Sequence, residues 1–138
     1  MLEIGNRENI SYSTGALAEA QACAGAVGDA LATVEQALQA NPDELVYRPG
    51  NLTLRGALRL TQGQPELAEA DFREAIALAR RMGAKALELR ATMSLARLLD
   101  QQGHRDEART MLAEIYNWFT EGFDTVDLKE AKALLEEL

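Results

Sequence analysis

The stretch QGQPELAEADFREAI, Gln62–Ile76, decides how this chain is read. Gly63 is followed by Ala68, Phe72 and Ala75, at offsets of five, nine and twelve. A lone amphipathic helix needs an apolar stripe, but that need sets no order of small, large and small side chains. Such an order carries meaning only if it recurs.

It recurs twice. AGAVGDALATVEQAL, residues 24–38, and QGHRDEARTMLAEIY, residues 102–116, align with it without gaps. Gly25, Gly63 and Gly103 share one column; Ala30, Ala68 and Ala108 share the next; Val34, Phe72 and Leu112 follow; Ala37, Ala75 and Ile115 close the set. The spacings are 38 and 40 residues, in the range where each unit buries its face only against its neighbours. Each glycine ends a helical run and can take the positive φ that stops it. Two residues on, Pro65 and Arg105 open the next helix, and a proline loses no hydrogen bond in a first turn. The alanine marks the point where two helices of a hairpin cross, and the larger residue four positions later lies on the same face. The order is the packing code of a helix hairpin.

Gly56, Gly63, Ala68, Phe72 and Ala75 resemble the tetratricopeptide-repeat signature, as do Ala96, Gly103, Ala108 and Leu112. Ala18, Gly25, Ala30 and Val34 match it more loosely. The family's aromatic early in the first helix is replaced by Leu52 and Thr92, and the spacing exceeds the usual repeat of about 34 residues, which implies helices about a turn longer. From about Ser13 onward, with LRGALRLTQGQPELAEADFREAIALARRMGAKALELRATMSLARLL (54–99) and NWFTEGFDTVDLKEAKALLEEL (117–138), the chain resembles the C-terminal repeat region of large multidomain signalling proteins. Those proteins carry an adenylate/guanylate cyclase-type or DNA-binding domain and an AAA-type ATPase. The resemblance implies a right-handed solenoid and a regulatory role, and places the chain in the repeat region alone.

The expected map is all-α: three antiparallel helix hairpins and a C-terminal capping helix, about seven helices in a TPR-like solenoid. Residues 1–10 are a loose segment. The repeats occupy 11–123, divided at about 11–48, 49–83 and 84–123, with helices at about 11–24 and 27–40, 49–62 and 65–82, then 84–102 and 105–121. Asn41, Pro42, Pro49 and Gly50 punctuate the first connection. The cap occupies 124–138. Asp124 or Thr125 starts its helix, Asp127 suits the first turn, and Leu128, Ala131, Leu134, Leu135 and Leu138 form its single apolar stripe. Tyr116, Trp118, Phe119 and Phe123 are expected to wedge it onto the third hairpin.

Composition agrees with packed helices. Hydrophobic residues make up 47% of the 138 and aromatics 5%, and no window alternates long enough for a strand. The formal net charge of −8 disfavours nucleic acid and anionic membrane as partners. No apolar run reaches membrane-spanning length, the start lacks the pattern of a secretory signal, and Cys23 is alone, so a cytoplasmic setting is expected.

No catalytic, cofactor or metal site is expected. AGAVGDA around Gly25 follows a helix rather than a strand, unlike a nucleotide-binding loop. His104, the sole histidine, reads as turn filler, Cys23 as a small buried residue, and Glu66, Glu69 and Glu74 as solvated surface. Asn9 and Asn51 begin glycosylation patterns that carry no meaning in the cytoplasm. What remains is the groove that the resemblance implies, lined by the first helix of each hairpin. Arg90, Met93, Arg97 and Gln101 share a helix face there, opposite Leu95 and Leu99; Thr53 and Ala57, then Tyr12 and Glu19, are the earlier equivalents. Two arginines can grip a carboxylate or phosphate, or simply pair with Glu88 or Asp100. The expected function is a non-catalytic scaffold for a protein or peptide partner, or for other domains of a parent chain. The alternative is a sensor of an acidic metabolite. An uncovered N-terminal helix can also pair with its copy, which leaves a homodimer open.

Overall fold

The structure, a computed structural model, describes residues 25–40, 47–120 and 125–138. These residues are all-helical, with six helices and no strand. The helices are α1 (Val27–Ala40), α2 (Arg48–Thr61), α3 (Pro65–Met82), α4 (Lys85–Gln101), α5 (Arg105–Trp118) and α6 (Val126–Glu137). The loose segment 1–10, the expected helix at 11–24, Asn41, Pro42, Gly122, Phe123 and Asp124 lie outside the described residues.

The turns after α2 and α4 are built alike. Gly63 has φ +75° and Gly103 φ +84°. A Cβ at either would meet nothing within 4 Å, so the requirement is conformational rather than one of space. Gly63 N donates to Leu60 O at 3.0 Å and Gln64 N to Arg59 O at 2.8 Å; Gly103 N donates to Asp100 O at 3.1 Å and His104 N to Leu99 O at 2.8 Å. This pair of bonds satisfies carbonyls that the end of a helix leaves orphaned. The next helix begins at Pro65 or Arg105 in turn, as expected from the sequence. Five residues after each glycine, Ala68 and Ala108 are completely buried.

By its internal contacts the chain divides into two compact units, Met1–Asp71 and Phe72–Leu138, with the boundary inside α3. In the first unit α1 packs on α2, and Ala30, Val34 and Leu58 form a core with Val27, Leu31 and Leu54 against it. Arg48 Nη1 donates to Leu38 O at 3.1 Å and so satisfies a carbonyl near the end of α1. Pro49 and Gly50 lie inside the first turn of α2 rather than in the connection before it, since a proline there leaves no bond unmade.

In the second unit α4 packs along α5, and α6 lies against both. Leu95, Ala96, Ala108 and Leu112 are completely buried, and Leu99 and Ile115 nearly so. Each large aliphatic side chain buried this way contributes roughly 1.5–3 kcal/mol. α6 buries Leu128, Ala131, Leu134 and Leu138, while Lys129, Glu130, Lys132, Glu136 and Glu137 are exposed. Thr125 caps it, its Oγ1 accepting from Leu128 N at 3.4 Å, and Arg109 Nη2 donates to Leu138 O. The helices α3 and α4, of 18 and 17 residues, exceed the 14 of α1, α2 and α5 by about a turn.

Two expectations in this unit are corrected. Helix α5 stops at Trp118, not near 121, because Phe119 turns extended, with φ −76° and ψ 134°. Trp118 does not wedge the last helix: it is 57% exposed, outside the stripe of Ala108, Leu112 and Ile115. Its ring stands edge-on to Phe119 at 5.2 Å, and Lys85 Nζ lies 5.5 Å from its centroid.

Candidate functional site

Of the groove residues expected from the sequence, Thr53 and Ala57 belong to the first unit and Arg90, Met93, Arg97 and Gln101 to the second. Tyr12 and Glu19 lie outside the described residues. In the first unit, Thr53 on α2 is half-buried with its hydroxyl donating to Pro49 O at 2.9 Å, and Ala57 one turn later is exposed. In the second unit, Arg90, Arg97 and Gln101 are exposed on α4 with Ala86, and Ser94 between them is half-buried. At about 100° per residue these positions form a strip about 80° wide. Met93 sits just beyond its edge and is only 3% exposed, so it is a core residue and not a groove contact. The covered arc is wider than Leu95 and Leu99 imply because α4 is packed by α5 and α6 together.

The two arginines of the strip differ. Arg90 Nε donates to Asp127 Oδ2 at 2.8 Å, which ties α4 to the first turn of α6. Arg97 makes no ion pair among the described residues. The acids expected to neutralise them are engaged elsewhere. Glu88 is 3% exposed and accepts from Arg80 Nε at 2.9 Å and Lys85 Nζ at 3.2 Å. Asp100 accepts from Arg105 Nε at 2.9 Å, and that bond raises the Arg105 guanidinium above its ordinary range. The strip therefore presents one guanidinium held by a neighbouring helix and one facing solvent.

A second charged group lies in the first unit. Asp71, 2% exposed, accepts from Arg55 Nη2 at 2.7 Å and Nε at 3.1 Å, and from Arg59 Nη1 at 2.9 Å. Arg59 Nη2 also reaches Glu35 Oε1 at 3.5 Å, so the group joins α1, α2 and α3. Two guanidiniums meet two carboxylates, and the buried carboxylate has both oxygens satisfied. This arrangement holds helices together and leaves no charge for a ligand. The signal was present in the repeat: forty residues on, Arg55, Arg59 and Asp71 become Leu95, Leu99 and Met111.

Among the described residues no group of three or more His, Cys, Asp or Glu is placed to hold a metal ion, and no helix is long and apolar enough to cross a membrane. Cys23 lies outside the described residues, His104 is exposed just before α5, and Asn51 is buried within α2. No protein-family model and no curated protein matches this chain.

Proposed function

We propose that the chain is a non-catalytic interaction module of the tetratricopeptide-repeat kind, a solenoid of three helix hairpins closed by α6. In this reading it is the C-terminal repeat region of a larger signalling ATPase or cyclase-type regulator. The observation that carries the reading is the repetition, forty residues apart, of one turn geometry at Gly63 and Gly103. Each is followed by a helix at the second residue and a completely buried alanine at the fifth. Such units supply a rigid surface rather than chemistry. The contact surface is the exposed strip of α4, with Arg97 as its available cation and Gln101 and Arg90 beside it. A protein or peptide partner, or another domain of the parent chain, docks there in the cytoplasm. The net charge of −8 disfavours nucleic acid and anionic membrane.

The exposed guanidinium of Arg97 also favours a second reading, in which the strip senses an acidic metabolite. One experiment separates the two: pull-down with the protein and its Arg97→Ala variant, beside a thermal-shift screen of anionic metabolites on the same pair. Arg97 is the better choice than Arg90, whose loss would also release Asp127. A protein partner lost in the variant at unchanged melting temperature supports the scaffold. Ligand-induced stabilisation lost in the variant supports the sensor. Binding that is indifferent to the substitution removes the strip from the account.

A further inference from the structure

We draw no further inference here: the strongest candidate, the exposed Trp118 ring at the C-terminal end of α5 with Lys85 over its face and Phe119 edge-on to it, is an unpartnered apolar patch, and nothing in the structure shows what covers it.

Discussion

Arg55, Arg59 and Asp71 in the first unit align in the repeat with Leu95, Leu99 and Met111 in the second, which have the opposite chemistry. In one, a carboxylate 2% exposed is clamped by two guanidiniums; in the other, two leucines are buried to within 2% of their surface. The repeat thus fixes where a side chain must fill space between helices, not what kind of atom fills it. Taking charges out of water is expensive, and their mutual attraction repays this only when every hydrogen bond is made. The ionic version is consequently less forgiving of single changes than the apolar one.

That difference is testable at its extreme by Asp71→Ala. The substitution leaves two guanidiniums, both mostly buried, without their shared carboxylate. A loss of about 3–5 kcal/mol is expected from an uncompensated buried charge, read as a lowered denaturation midpoint by circular dichroism. A change under about 1 kcal/mol, the range of exposed ion pairs, would mean that water already does the work of the clamp.

A smaller effect is expected in the apolar hairpin. Ala108 is completely buried five residues after Gly103. Enlarging it in Ala108→Leu should overpack the site and cost roughly 1–3 kcal/mol, measured in the same way. An unchanged midpoint would remove the alanine column from the packing code and leave only its glycines.

The apolar hairpin also contains a flaw. Thr92 takes the place of Leu52, forty residues earlier; both are buried, and the Thr92 hydroxyl has no hydrogen-bond partner among the described residues. The hydroxyls of Thr33, Thr53, Thr61 and Thr110 instead donate to the carbonyl four residues back. Thr92→Val keeps the shape and removes the orphan, so it should stabilise by about 1 kcal/mol. A raised melting temperature checks it, and a lowered one would place an unseen partner on the hydroxyl.

What could be read in the sequence was local. Gly63, Gly103 and Pro65 sit at helix boundaries because of their own backbone preferences, so a single position carries the signal, while Arg105 follows from the register of the repeat. The apolar stripe of α6 was legible for the same reason, its period being set within one helix. Met93 was misplaced because helical angles tell which residues share a face but not how wide an arc the neighbours cover. Arg55 and Arg59 passed unnoticed because their partner, Asp71, lies on another helix, and an arginine without its counter-charge reads as surface. Trp118 misled through its size: a large aromatic usually goes inside, but this one falls outside the stripe of its helix.

The most direct test of the central claim, that the repeat prescribes filled space and tolerates either chemistry, is the stability of the triple variant Arg55→Leu/Arg59→Leu/Asp71→Met. It writes the second unit's residues into the first. The account predicts that its unfolding free energy stays within about 1 kcal/mol of the starting protein or rises above it, since well-packed apolar groups commonly replace a buried ion group without loss. A triple variant as unstable as Asp71→Ala would contradict the account, because it would show that the ions themselves, and not the places they occupy, hold the first unit together.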